Sequence, residues 1–132
     1  MQENQPLILI ADDDPDLRRM VRLQLEELPV EVIEAGDGAQ TLELVLTDSP
    51  DLVILDVMMP ELTGWEILKY IRSKNEIADT GVLMLTGIGE TLNELSSPMY
   101  GADDYIDKPF KAKELLAKIQ AILSKKGFEI QI

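Results

Sequence analysis

The sequence predicts an α/β protein built on one doubly wound parallel sheet with helices on both faces. Three observations carry that prediction. Five short apolar runs alternate with helical patterns along 132 residues, the length of about one domain. The runs are apolar at consecutive positions, so both faces of each strand are buried, as in a parallel sheet covered on both sides. No apolar stretch approaches the ~18 residues of a membrane span. Strands separated by helices then join through right-handed crossovers.

The first strand, Leu7 to Ala11, stops at Asp12, Asp13 and Asp14. The helix after it carries Leu17, Met20, Val21, Leu25 and Leu28 at three- and four-residue spacing. Asp14 suits its N-cap, Pro15 its first position and Pro29 its stop. Val30 to Ala35 is the second strand, with Val30 and Val32 on one face. Gly36-Asp37-Gly38 turns into a helix bearing Ala39, Leu42, Val45 and Leu46, ended by Ser49-Pro50. Leu52 to Leu55 is a fully apolar third strand that stops at Asp56. Met58-Met59-Pro60 begins a loop, and Gly64 opens a helix with Trp65, Ile67, Leu68 and Ile71. The fourth strand, Val82 to Leu85, stops at Thr86. Residues 91–100 read as a fourth helix that Pro98 shortens or partly unwinds. Asp104 to Ile106 is a short fifth strand before Lys108-Pro109, and the last helix carries Leu115, Leu116, Ile119, Ile122 and Leu123. Phe128, Ile130 and Ile132 then alternate with Glu129 and Gln131 at a strand-like period of two. Residues 1–124 form one domain, and 125–132 a C-terminal tail or linker stub.

Composition narrows the chemistry. Lys and Arg number 12 against 25 Asp and Glu, a net charge of −13, which argues against direct nucleic-acid binding through a basic face. Cysteine and histidine are both absent. That excludes disulfides, thiolate or imidazole metal sites, Ser-His-Asp triads and a phosphohistidine carried by this chain. The hydrophobic fraction of 45% supports a core, and only 5% aromatics makes that core aliphatic. The opening Met1 to Pro6 lacks a charged segment followed by an apolar one, so no signal peptide or membrane association is expected, and the cytoplasm is the expected location.

In a sheet of this kind the ligand site lies beyond the carboxyl ends of the strands. Asp12 and Asp13 end the first strand, Asp56 the third, Thr86 the fourth, and Lys108 follows the fifth. Each alone has an ordinary explanation: a solvated turn, a loop aspartate, a helix cap, an exposed lysine. Their coincidence at one edge does not. Two like charges ~4 Å apart repel by ~4 kcal/mol at an effective dielectric of ~20. The cluster therefore needs cations, and oxygen-only ligands with open positions favour Mg²⁺. A carboxylate facing a metal-bound phosphoryl group is a nucleophile that forms an aspartyl phosphate, and Thr86 and Lys108 would bind the transferred oxygens.

Four segments resemble the receiver domain of two-component response regulators, in the manner of the chemotaxis regulators. They are Leu7 to Asp14, Leu55 to Gly64, Val82 to Gly87 and Gly101 to Phe110. The likeness runs from about Pro6 to Ser124, in family order and spacing. It implies a flavodoxin-like sheet of order 2-1-3-4-5. It implies Asp56 as phospho-acceptor, with Asp12, Asp13, Asp56 and the backbone carbonyl of Met58 holding Mg²⁺. Thr86 would be the switch hydroxyl, Lys108 the partner of the phosphoryl group, Tyr105 the aromatic switch residue, and Lys108-Pro109 a cis peptide. The family takes its phosphoryl group from a histidine kinase or histidine phosphotransfer protein and controls a partner or output domain. It catalyses only its own phosphorylation and dephosphorylation. A homodimer would use the face of the fourth helix, fifth strand and last helix.

The chain departs from that pattern at Gly87, where the family usually has Ala or Ser. With Gly89 and Pro98 this predicts a soft segment from Gly87 to Tyr100 that orders on activation. Three rival readings match the residues less well. A haloacid-dehalogenase-like phosphatase matches the Asp-x-Asp spacing of Asp12 and Asp14, but Pro15-Asp16 follows and no cap domain is present. A pseudo-receiver docking module would lack a site residue, and none is missing. A calcium loop beginning at Asp12 fails for want of its turn glycine, since Leu17 stands there.

Overall fold

A computed structural model describes residues 5–87 and 101–131. Five parallel strands form one sheet in the order β2-β1-β3-β4-β5: β1 Leu7–Ala11, β2 Glu31–Ala35, β3 Leu52–Asp56, β4 Gly81–Thr86 and β5 Asp104–Asp107. The described helices are α1 Pro15–Leu25, α2 Gly38–Asp48, α3 Gly64–Ser73 and α4 Ala112–Lys125. Residues 91–100, expected as a further helix, and all but Gly87 of the segment 87–100 expected to order on activation, lie outside the described residues.

Strand alternation divides the core in two. Ile8, Ile10, Leu52, Ile54, Leu83 and Leu85 face one side, where Val21 and Leu25 of α1 and Leu115, Ile119, Ile122 and Leu123 of α4 cover them. Leu9, Ala11, Val53, Leu55, Val82 and Met84 face the other, against Val45 of α2 and Ile67, Leu68 and Ile71 of α3. Consecutive apolar residues are needed because every central strand is buried twice. Val30 and Val32 share the first of these faces, as their spacing requires.

The expected element ends shift in ways that matter for the site. β3, β4 and β5 each run one residue further than the apolar pattern, so Asp56, Thr86 and Asp107 are held in the sheet ladder. Helix α1 is capped by Asp14, whose carboxylate accepts from Asp16 N at 2.9 Å and Leu17 N at 3.4 Å. It ends at Leu25, before Leu28 and Pro29, and Met20 on the expected apolar stripe is exposed. In α2 the buried residues are Gly38, Thr41 and Val45, while Ala39 and Leu46 lie on the solvent side. Helix α3 begins with a capping box in which Thr63 and Glu66 satisfy each other's backbone N–H groups.

The tail packs back on the body. Ile130 is only 5% exposed and joins the core beside α1 and α4, Phe128 packs against that cluster, and Gln120 Nε2 donates to the Ile130 carbonyl at 2.6 Å. Despite their alternation, residues 128–131 form no strand.

Candidate functional site

The carboxyl edge of the sheet gathers the expected residues. Asp12 directly follows β1, and its N–H donates to the Ala35 carbonyl of β2 at 3.1 Å. Its own carbonyl accepts from Arg18 Nη1 at 2.6 Å, and Arg18 Nε pairs with Glu34 at 3.0 Å. The loop that presents the acidic pair is thus fixed from behind, by an arginine the sequence reading did not single out. Asp12 is fully buried and Asp56 is 4% exposed, whereas Asp13 lies in solvent.

Asp56 ends β3 where Gly64 of α3 presses on the strand. A Cβ at Gly64 would lie 2.4 Å from the Asp56 carbonyl oxygen and 2.9 Å from Val57 Cα, so only glycine fits. Gly64 N also donates to the Val57 carbonyl at 2.9 Å. Met58 N approaches Asp56 Oδ1 at 3.3 Å, and the Met58 side chain is 61% exposed.

Lys108 follows β5 through a cis peptide to Pro109. Its ammonium bridges the buried carboxylates, 3.1 Å from Asp12 Oδ2 and 3.1 Å from Asp56 Oδ1. Burial pushes the Asp56 carboxyl up to about 6, aided by the Asp12 charge, against the opposing pull of Lys108 and Met58 N. Burial likewise raises Asp12, against the Asp14 N–H and Lys108. Burial pulls Lys108 down, but its two carboxylate partners outweigh it and its pKa is raised. The lysine is therefore a fixed cation across this range, and one positive charge serves two buried acids.

One oxygen from each of Asp12, Asp13 and Asp56 lies within 4.8 Å of the others. The set is all carboxylate, hence hard, and its exposed member Asp13 leaves one side open to water and substrate. That fits a divalent cation that keeps open positions. Asp14 is used as the α1 cap, so the Asp-x-Asp pattern of a phosphatase is not assembled here.

Thr86 ends β4 one residue past Leu85, the ladder partner of Asp56. Its hydroxyl is buried and donates to the Asp107 carboxylate. Tyr105 packs against the α2–α3 side of the core, and burial and the Asp104 charge raise its hydroxyl pKa. Asp107 appeared in the sequence only as one letter of a motif. Its position opposite Thr86 depends on the β4–β5 register, which no local pattern specifies.

Comparison with known proteins places this edge in context. The family model for the response regulator receiver domain matches residues 8–120. The master transcriptional regulator RpaA of Synechocystis, described as DNA-binding, is 39% identical over 118 residues, which are 89% of this chain and 49% of that protein. A probable transcriptional regulator, ycf27, of Cyanophora paradoxa is 37% identical over 93% of this chain and 50% of its own length. The chain spans about half the length of these curated relatives. Among solved structures, a response regulator described as putative from Chloroflexus aurantiacus superposes with a TM-score of 0.85 at 31% identity, covering 92% of this chain and 99% of that one. The chemotaxis response regulator CheY4 of Vibrio cholerae gives 0.83 at 31% identity, covering 90% and 99%. The family match spans residues 8–120, nearly the whole sheet, and the solved neighbours superpose over nine-tenths of the chain: the chain belongs to the response regulator receiver domain family.

Proposed function

We propose that this domain is a phospho-acceptor switch whose acceptor is Asp56. The observation that carries the reading is the buried Asp12–Lys108–Asp56 bridge, with Asp13 beside it, at the carboxyl edge of the sheet. Asp12, Asp13, Asp56 and the Met58 carbonyl would hold Mg²⁺, which would neutralise charge on the incoming phosphoryl oxygens.

An Asp56 carboxylate oxygen attacks phosphorus, the bond from phosphorus to the donor breaks, and its electron pair leaves with the donor. For a histidine kinase or phosphotransfer protein the leaving atom is an imidazole nitrogen. Lys108 holds Asp56 in place beforehand and pairs with the phosphoryl oxygens afterwards. Thr86 then donates to the phosphoryl group and Tyr105 follows as the aromatic switch residue. Water later attacks phosphorus and restores the carboxylate, so the domain acts only on its own modification.

The kinship with transcriptional regulators favours an output in transcription. With 25 acidic residues against 12 basic ones, contact with DNA belongs to an attached domain or a partner. No described helix is long and apolar enough to cross a membrane.

Incubation with acetyl phosphate and Mg²⁺, followed by intact mass measurement, tests the reading. The expected result is a gain of one phosphoryl group, abolished by chelation and by Asp56→Asn. Retention of the gain in Asp56→Asn would remove Asp56 as acceptor.

A further inference from the structure

Thr86 and Asp107 are ladder partners at the ends of β4 and β5. Paired residues of neighbouring strands project to the same side of the sheet, which brings the two side chains together. The Thr86 hydroxyl is wholly buried and donates to the Asp107 carboxylate, with the Ile106 carbonyl a longer acceptor at 3.4 Å. The two strands are tied again at this point, where Lys108 N donates to the Thr86 carbonyl at 2.7 Å.

A threonine hydroxyl carries one proton to donate. It cannot be given at once to Asp107 and to a phosphoryl oxygen on Asp56. We propose that Asp107 is a positioning residue for Thr86, a carboxylate latch that holds the switch hydroxyl on β5 and must let go before that hydroxyl binds the phosphoryl group. The proposal rests on the phospho-acceptor reading and adds to it a threshold for activation.

A hydrogen bond to a carboxylate is among the stronger kinds, but Asp107 is exposed and water competes for it. The latch therefore sets the threshold without forbidding the switch. It also predicts an order of strength. Asn at 107 keeps an acceptor oxygen without the charge, and Ala removes the acceptor.

The test uses the full chain with Mg²⁺ and beryllofluoride, a phosphoryl mimic, with affinity measured by calorimetry. Asp107→Ala should bind the mimic about five- to tenfold more tightly than the unaltered chain, with Asp107→Asn between them. In a Thr86→Val background, which keeps the shape and removes the hydroxyl, Asp107→Ala should change affinity by less than about twofold. An equal gain in both backgrounds would mean that Asp107 acts only as a negative charge near an anion, and the latch would be wrong. No gain in either background also overturns it. These outcomes are distinct from failure of the functional reading: if the unaltered chain takes up no mimic, or Asp56→Asn takes up as much, the acceptor assignment falls and the latch falls with it.

Discussion

At Asp56 the fold keeps a carboxylate out of water beside a second buried acid, and the free energy of that choice can be measured. Its pKa is raised from 3.8 to about 6, mainly by burial. A raised acid binds its proton more tightly in the folded chain, so the folded state is favoured at low pH. That advantage fades as pH climbs from about 4 through about 6. Above that range the metal-free domain carries a penalty of about 3 kcal/mol from this one group. Asp12, also raised, adds a contribution of the same sign. Asp56→Asn should therefore match the unaltered chain in stability near pH 4 and exceed it by about 2–3 kcal/mol at pH 7.5, in chelator. Urea unfolding at several pH values checks this, and a gain independent of pH would refute it. Charge crowding was legible from the sequence, but its distribution was not. Read as three equivalent acids, the cluster predicts that Asp13→Asn relieves the apo protein. Asp13 instead points into water, and its charge is the smallest of the influences on Asp12. Asp13→Asn should weaken Mg²⁺ uptake with little stabilisation. Nearby, Glu61 sits at φ 73 in a tight turn, where Leu62 N donates to the Pro60 carbonyl at 2.8 Å. Side chains are disfavoured at that φ, so Glu61→Gly should stabilise by about 0.5–1 kcal/mol in thermal unfolding, net of the entropy that glycine adds to the unfolded chain. A loss of stability would show that Glu61 is not strained.

Elements were read from the sequence to the degree that their burial is one-sided or complete. The strands stood out because both their faces are covered, and α1 because Asp14-Pro15-Asp16 spells its start. The phase of α2 was not legible. Leu42, Leu44, Val45 and Leu46 put apolar groups all round it, and a helix of 11 residues offers too few turns to choose among them. Tertiary packing chose instead: Gly38 enters against Leu62, where a Cβ would lie 2.6 Å from Leu62 Cβ, and Leu46 at 48% exposure turns to solvent. The alternation of the tail suits an edge strand as well as a tail or linker stub, and a period of two over five residues does not choose among them. Phe128 and Ile130 pack onto the core that α1 and α4 cover, which places Ile130, beyond the expected boundary at 124, within that core. Ile130→Ala should accordingly cost about 2 kcal/mol, the lower end for an isoleucine truncated in a core, because a chain end can settle into the gap. A change below ~0.5 kcal/mol in urea unfolding would show that the tail is only a passenger.

Taken as a whole, the molecule separates chemistry from cohesion along the strand axis. The carboxyl edge concentrates buried charge and sacrifices stability for reactivity. At the amino edge, polar groups serve the fold: Asp51 accepts from Leu7 N at 2.8 Å, and Asp103 accepts from Val82 N at 2.8 Å. Arg72, in the last turn of α3, is the hub of this edge. Its guanidinium donates to the carbonyls of Gly101, Ala78 and Thr80 at 2.8, 2.9 and 2.6 Å, and to Asp103 at 3.1 Å. One side chain thereby ties α3 to the loop before β4 and to the approach to β5. No local pattern signals this role, since an arginine late in a helix reads as a partner of the helix dipole. Arg72→Ala would strand three carbonyls and loosen the carboxylate that anchors Val82. Each unmet polar group costs about 1–3 kcal/mol when buried, and less here because water reaches part of the site. A total loss of about 2–4 kcal/mol is expected by urea unfolding. Under folding conditions the variant should still take up one phosphoryl group from acetyl phosphate, because nothing it touches lies at the carboxyl edge. A variant that stays stable but no longer accepts the phosphoryl group would contradict this division, and would make Arg72 a conduit between the two ends of the sheet.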